Sequence, residues 1–545
     1  MEFFVLSNVH LYIGLIISVI NAGLMCFEGY KLMQVIQISG YHLRGYFDWL
    51  KDTRAKHIVR LAMLTLLSTM AILVTNVIFD PYAELLSYMG FVIYLVFSLI
   101  FISKIYKAPQ KTPLKMTHRM NRYMILFYIL SLILSFGLVA LSSQFFDVYG
   151  YGAIALTPIC LPLLVPFVHW LMKPTEKAIS KRYVKKTKEK LKETPNLIKI
   201  GITGSFGKTS TKNFLNTLLS EKYSVCTTPA NFNTPMGITK TVLQCLAPLH
   251  QVLIAEMGAR KVGDIKELCE IVEPQYGIIT AVGEQHMATF QSIDNIRRTK
   301  AELSDYLTLN NGYCVFDGDN EITRKIFESA KCDKGIIGIG NTECKIFADN
   351  IKVSTAGTNF DLHIDGMETV QVKTKLFGEH NVNNLLLCVD IAVKLGLNRD
   401  ELVRGLARIM PVEHRLQLIQ GENDVIILDD AYNASIEGSK RALEVMAMWK
   451  DRRKVVITPG LVELGTMERI ANYELGKRIA KVANIVIIVN KVHYLSVKQG
   501  LLDEGFDESK IYSAENLNSA VVTLQEILQP KDVVLWENDL PDNYT

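Results

Sequence analysis

Residues 201–212 read GITGSFGKTSTK, and they continue an apolar, β-branched run, LIKIGIT, at 197–203. A strand that ends in a glycine-rich loop and reopens as a helix aims backbone N–H groups and a helix N-terminus at one point, where a phosphate can sit. Gly204, Ser205 and Gly207 would form the loop, and Lys208 would bring charge to the β- and γ-phosphates. The Thr209 hydroxyl is suited to Mg²⁺, and Ser210 beside it is a further nucleotide-binding candidate. The common G-x-x-x-x-G-K-[ST] spacing needs glycine at 202, where this chain has Ile202. What remains is the tighter Gly204-x-x-Gly207-Lys208-Thr209.

Outward from this loop, the chain after 195 alternates short buried-strand patterns with amphipathic helical ones. QVLIAEMG, YGIITAVG and GYCVFDGD read as further parallel strands. KIFADNIKVSTAGTNFDLHI and VQVKTKLFG alternate apolar and polar residues, which predicts a small antiparallel insert. A second α/β series follows in DVIILDDAY, KVVITPG, ANIVIIVN and KDVVLWEN.

The tight loop resembles that of the Mur ligases, ATP-dependent amide ligases of cell-wall synthesis, and similar motifs follow in family order. NFNTPMG (231–237) resembles the asparagine-rich segment of the MurF branch, whose enzymes add D-Ala-D-Ala. IAEMGARKVGDI carries Glu256 in the metal-binding place, and ITAVGEQHMATFQSIDNIRRTKAEL resembles the stretch with a histidine and a lysine, here His286 and Lys300. FGEHNVNN matches the adenine-side G-x-H-N-x-x-N, HRLQ the arginine segment opening the C-terminal domain, LDDAYNAS the MurF-type D-D-[SA]-Y-N-A, and VELG completes the set. The resemblance covers about 196–545 and implies a P-loop Mur ligase central domain over 196–410 and a Rossmann-like C-terminal domain over 411–545.

The resemblance also implies jobs for residues. Thr209, Glu256 and His286 suit Mg²⁺, two ions being expected, bridging phosphate and acceptor. A free Lys300 ammonium would repel Mg²⁺, whereas its carbamate, formed with CO₂ in many family members, could ligate the second ion. Lys208, Lys300 and His286 form the expected catalytic set. Asn381 and Asn384 offer amides to the adenine edge, with helix capping the alternative for Asn381. Asp430 could accept from ribose hydroxyls, Arg415 could reach a phosphate, and Asn233 would lie near the γ-phosphate or acceptor.

The first 172 residues depart from the family. Five apolar stretches, at about 9–27, 61–79, 86–103, 123–143 and 151–172, contain no Asp, Glu, Lys or Arg, and each approaches the ~20 residues a membrane helix needs. They stand where MurF enzymes carry a UDP-sugar-binding domain. Segment 31–60 carries Lys31, Arg44, Lys51, Arg54, Lys56 and Arg60; segment 104–122 carries Lys104, Lys107, Lys111, Lys115, Arg119 and Arg122. Segments 80–89 and 144–150 carry no Lys or Arg. By the positive-inside rule the N-terminus is outside and everything after Met172 is cytoplasmic, in a multi-pass protein of a bacterial inner membrane. Residues 173–195 form a basic juxtamembrane linker, with nine Lys or Arg in 173–192, that either lies along the anionic inner leaflet or stays solvated.

Mean hydropathy is +0.18, high for a soluble enzyme. A net charge of +4 over 545 residues gives no nucleic-acid footprint, and nine cysteines without a C-x-x-C pair suit a reducing cytosol. A second departure lies near the C-terminus. Where MurF enzymes carry a Lys-Gly-Ser segment that contacts substrate, this chain reads VLWENDLPDNYT.

The expectation is an α-helical membrane domain plus α/β domains, forming a membrane-anchored ATP- and Mg²⁺-dependent ligase. It would join an amino acid or short peptide to a lipid-linked or polymeric carboxylate of an envelope precursor or polysaccharide. MurF activity itself is the alternative. ATP-driven transport is the rival from another class, without an LSGGQ-like signature to support it.

Overall fold

A computed structural model describes residues 8–52, 60–68, 70, 83–107, 113–230, 232–284, 287–432, 435–462, 464 and 467–537. These fall into two compact units that divide after Ile179.

The first unit is helical. Its main helices are Asn8–Glu28, Tyr30–Ile38, Leu43–Asp52, Ala83–Lys107 and His118–Phe146, followed by a 3₁₀ stretch, Asp147–Cys160, and the helix Leu161–Lys192. Among the described residues, His118–Leu141 and Ile154–Lys192 are long and apolar enough to cross a membrane. Tyr12–Glu28 and Tyr30–Ile38 qualify only as one span bent by 45°. Gly29 sits at that bend, and a Cβ there would lie 3.0 Å from the Phe127 ring. The expected stretch at 86–103 has a shorter apolar helix, Phe91–Lys104, and most of 61–79 lies outside the described residues. The stretch at 151–172 begins in the 3₁₀ segment. Polar side chains bind these helices from within: Asn21 Nδ2 donates to Ser135 Oγ (2.8 Å) and Thr157 Oγ1 (3.1 Å), and Tyr94 donates to Asn21 Oδ1 (2.8 Å).

Residues 173–192 continue the helix Leu161–Lys192 without a break, through Pro174. In the second unit Leu191 and Val184 join an apolar core. Lys190 Nζ donates to the Leu243 and Leu246 carbonyls at 3.3 and 2.7 Å, satisfying the end of the helix Pro235–Gln244.

The second unit holds two sheets. The first contains β1 (Ile198–Thr203), β2 (Val225–Thr227), β3 (Val252–Glu256), β4 (Tyr276–Ile279), β5 (Tyr313–Asp317), β6 (Asp333–Ile339), β7 (Ile346–Ser354), β8 (Gly357–Ile364) and β9 (Val370–Thr374). Its order is β2-β3-β1-β4-β5-β6-β7-β8-β9. β2 to β7 pair in parallel, and β7-β8-β9 are antiparallel, so the expected antiparallel insert continues the main sheet at one edge. Strand alternation sends Ile200, Ile202, Val252 and Ile254 to one face, against the helices Lys208–Leu219 and Glu379–Lys394. Leu253 and Ala255 go to the other face, against Asp264–Val272 and Ile293–Leu309. Burial on both faces is why these strands read as continuous apolar runs.

The second sheet contains β10 (Gln417–Gln420), β11 (Ile426–Asp430), β12 (Lys454–Thr458), β13 (Ile485–Val489), β14 (Ile511–Ala514) and β15 (Val533–Glu537), in the order β10-β11-β15-β12-β13-β14. Only β10 is antiparallel to its neighbour. Val456 and Ile488 face one helical layer, and Val455 and Ile487 the other.

Candidate active site

β1 runs out at Thr203, and the loop that follows depends on two glycines. Gly204 has φ 149° and its Cβ would overlap the Thr280 hydroxyl; Gly207 has φ 81°, and a Cβ there would lie 2.5 Å from Asn384 Oδ1. Both positions are left-handed and crowded, so a side chain is excluded twice over. Loop position is fixed from β4's end. Ser205 and Phe206 donate backbone N–H groups to the Ala281 carbonyl (2.9 and 3.1 Å), Thr280 Oγ1 donates to the Phe206 carbonyl (2.6 Å) and Ser205 Oγ to the Gly283 carbonyl (2.9 Å). Gly207 then caps the helix Lys208–Leu219 with no side-chain hydrogen bond. The first N–H groups of that helix, from Lys208, Thr209 and Ser210, are therefore available to an anion.

Glu256, at the end of β3, faces this helix. The parallel register sets it opposite Ile202, one residue before the end of β1. Its carboxylate is almost wholly buried and fully engaged. Oε2 accepts from Thr209 Oγ1 at 3.1 Å and pairs with Lys212 Nζ at 3.2 Å; Oε1 accepts from Asn233 Nδ2 at 3.1 Å. Lys212 also donates to the Ala230 carbonyl at 2.6 Å. Thr209, Glu256 and Asn233, predicted separately, thus meet around one carboxylate.

Lys212 is the residue that sequence reasoning passed over. It lies inside the quoted motif, four positions after Lys208 and therefore near it on the helix surface, and that spacing was the available signal.

Two further lysines are electrostatically strained. Lys208 curls over its own loop, donating to the carbonyls of Gly204 (2.8 Å) and Ser205 (2.9 Å). Burial lowers its pKa to about 8, opposed by Glu256 and helped by Arg415. Lys300, on the helix Ile293–Leu309, is 3% exposed. Burial and the nearby Lys208 charge hold its amine well below the ordinary lysine range. His286 lies outside the described residues.

The C-terminal layer contributes Arg415. Its guanidinium stacks 4.1 Å from the Tyr432 ring centre, and burial lowers its pKa against the opposing influence of Tyr432, Asp430 and Glu256. The same arginine acts on Lys208, so it faces the phosphate loop. Asp430 accepts from the Leu416 N–H at 3.0 Å, and burial raises its pKa to about 6. Neighbouring His414 is bound to Asp429 Oδ2 at 2.7 Å, which ties the HRLQ segment to β11.

The asparagines of FGEHNVNN sit close to the loop. Asn384 Oδ1 accepts from Thr211 Oγ1 at 3.2 Å and supports Gly207 from behind. Asn381 Nδ2 donates to the Phe377 carbonyl at 3.0 Å, as a local helix-start contact. His380, half-buried and near Arg441, has its pKa lowered to about 3, chiefly by desolvation and further by the Arg441 charge.

Can these groups hold Mg²⁺? Among the described residues no three His, Cys, Asp or Glu side chains converge. Thr209 and Glu256 nevertheless present a hydroxyl and a carboxylate together. Those are hard oxygen donors, and Mg²⁺ takes the rest of its shell from phosphates and water. The residues fit a nucleotide-borne ion.

A phosphate loop at the carboxyl edge of a parallel sheet, faced by an arginine from a second α/β layer, defines a P-loop nucleotide-using enzyme. Residues 202–392 match the Mur ligase middle domain and 414–537 the Mur ligase glutamate ligase domain. The chain belongs to the Mur ligase family and is an ATP-dependent carboxylate–amine ligase. It is 29% identical over 359 residues to the UDP-N-acetylmuramoyl-tripeptide–D-alanyl-D-alanine ligase of Mycobacterium tuberculosis (strain H37Rv), covering 62% of this chain and 69% of that one. The enzyme of that name from Bacillus subtilis is 29% identical over 282 residues, 52% of this chain and 60% of its own. A crystal structure of MurF from Acinetobacter baumannii superposes with a TM-score of 0.60 at 25% identity, over 67% of this chain and 78% of that one. MurF from Thermotoga maritima, in complex with ADP, gives 0.57 at 25%, over 66% and 80%.

Proposed function

We propose that this chain is a membrane-anchored ligase that joins an amino acid or short peptide to a carboxylate of a lipid-linked or polymeric envelope precursor. A polysaccharide bearing uronic acids, or a peptidoglycan-type precursor, has the required chemistry. The observation that carries this reading is where the family match begins, at residue 202, behind a helical region containing two helices apolar and long enough to cross a bilayer. The loop charges favour an external N-terminus, five crossings and cytoplasmic catalytic domains.

In this reading the acceptor carboxylate attacks the γ-phosphorus of ATP, forming an acyl phosphate and ADP. The amine then attacks the acyl carbon: the C–N bond forms, the acyl C–O bond breaks with its electrons leaving on phosphate, and the amine nitrogen gives up a proton to solvent. Both reactants of the first step are anions, so the site must offset their repulsion. Lys208 and the first turn of the helix Lys208–Leu219 would cradle the phosphates, with Arg415 approaching from the C-terminal layer. Mg²⁺, when bound, would supply charge compensation at Thr209 and Glu256, and His286 with Lys300 as carbamate would serve a second ion. Asn233 would orient the reacting groups beside Glu256.

The test is full-length protein in lipid nanodiscs with Mg-ATP, offered soluble UDP-muramoyl-tripeptide or a lipid-linked acceptor, with amide formation read by mass spectrometry. Preference for the lipid-linked acceptor is expected. Equal or better use of the soluble nucleotide substrate sinks the reading and favours MurF activity, the second reading, which the names of the matched relatives support.

A further inference from the structure

In the helical unit, the segment that leads into the helix His118–Phe146 is fastened to the helix Tyr30–Ile38. Gln37 Nε2 donates to the Lys115 carbonyl at 2.7 Å, the Lys115 N–H donates back to Gln37 Oε1 at 2.8 Å, and the Leu114 N–H donates to the Tyr30 hydroxyl at 3.1 Å. Between the two elements lies a cavity of about 320 Å³ lined by Gln37, Tyr41, Lys115, Thr117 and Arg119 among others.

Its charge is one-sided. Glu176 pairs with Arg122 at 2.7 Å and with Arg119 at 3.5 Å, so a single carboxylate faces two guanidiniums. The Arg119 Nε is the atom that faces Glu176 Oε2 at 3.5 Å, and its guanidinium is held 3.6 Å from the Tyr41 ring centre. The Lys115 ammonium makes no ion pair among the described residues. A cation pair with surplus charge, steadied by a ring and by a reciprocal amide clamp, suits an anion with several acceptor oxygens. Thr117 adds a hydroxyl to the lining.

The neighbourhood is apolar. Along the same helix Ile125, Ile129 and Ile133 are 61, 44 and 62% exposed at successive four-residue steps, an apolar stripe that begins six residues after Arg119. An anion pocket at the head of an apolar stripe matches an amphiphile, with a phosphate head and a long hydrocarbon tail.

The geometry points to this cavity as the site for the phosphate head of a lipid-linked molecule, Lys115 and Arg119 taking the phosphate oxygens while the tail follows the Ile125–Ile129–Ile133 stripe. This rests on the membrane-anchored reading above and names the chemistry of its acceptor. No bond is made or broken at this site.

The test uses full-length protein in phosphatidylcholine nanodiscs containing phosphatidic acid, a lipid phosphate monoester, with phosphatidylglycerol as an anionic control and inorganic phosphate as the headgroup without a tail. Native mass spectrometry counts bound lipid. Phosphatidic acid is expected to be retained over phosphatidylglycerol, and Lys115→Gln with Arg119→Gln should weaken retention at least tenfold. Lys115→Gln alone disturbs no ion pair, so its loss of retention separates binding from misfolding. Retention unchanged in both variants overturns the site. Equal competition by inorganic phosphate, with the same sensitivity to the variants, overturns the lipid assignment. Failure of the reading it rests on looks different: retention behaves as expected, yet a lipid-linked acceptor receives no amide.

Discussion

The Thr209 hydroxyl donates to Glu256 Oε2 at 3.1 Å, joining the first turn of the phosphate-loop helix to the end of the neighbouring strand. On the proposed chemistry, Glu256→Gln keeps the shape and removes the charge. Amide formation should fall at least about 100-fold, the scale of losing a preorganised electrostatic partner. Buried Lys212 loses its counter-ion, so the melting temperature should drop as well. Mg²⁺ titrations of ATP turnover check the first effect and thermal unfolding the second. Wild-type turnover in the variant would remove Glu256 from the site.

Gly207→Ala tests the loop. The φ of 81° costs an L-residue about 1–2 kcal/mol, and the new Cβ meets Asn384 Oδ1 at 2.5 Å. Loss of ATP binding with only a modest fall in melting temperature is expected, measured by titration calorimetry alongside thermal unfolding.

Lys300 is held well below the ordinary lysine range by burial and by Lys208, which enlarges its neutral, nucleophilic fraction at neutral pH. Its nitrogen can attack CO₂ and release a proton, leaving a carbamate anion. Activity should therefore fall in CO₂-depleted buffer and return with bicarbonate. Lys300→Ala should be inactive but partly rescued by acetate. ¹³C NMR after ¹³C-bicarbonate loading should show a carbamate signal that this variant lacks.

Glu537 ends β15 opposite Asp430 and is wholly buried, with the Thr458 and Ser439 side chains as the hydrogen-bonding groups beside its carboxylate. Burial and Asp430 raise its pKa from 4.5 to about 8. The folded state holds the proton more tightly than the unfolded one. Stability from this group is thus complete below the unfolded value and declines as pH rises through that window, by up to about 1.4 kcal/mol per pH unit. Glu537→Gln should flatten the decline between about pH 5 and pH 8. Denaturation of both proteins across that range checks it, and identical pH profiles would remove Glu537 as the source.

Cys245 is exposed, whereas the other eight cysteines are buried or half-buried. On the proposed topology, an impermeant maleimide should label Cys245 in inside-out vesicles and not in intact spheroplasts. Labelling from outside would invert the proposed topology.

The α/β architecture was largely legible because β1, β3, β4 and β5 are buried on both faces and so carry unbroken apolar runs. β2 is only three residues long, and β10 and β14 are short and partly exposed, so none leaves a strong pattern. The close approach of Gly29 to Phe127 is a contact between distant helices, which no local pattern records. Within the site, motif order identified Thr209, Glu256 and Asn233 as separate residues. Their meeting on one carboxylate follows from the β1–β3 register, which composition does not encode. Lys212 escaped notice because its partner is set by that same register.

The Lys212–Glu256 pair bears on how the protein is made. A buried carboxylate that depended on an incoming metal for compensation would tie maturation to ligand supply. Here the counter-charge arrives on the same polypeptide, one turn beyond the loop, so the fold itself supplies the compensation that Glu256 needs.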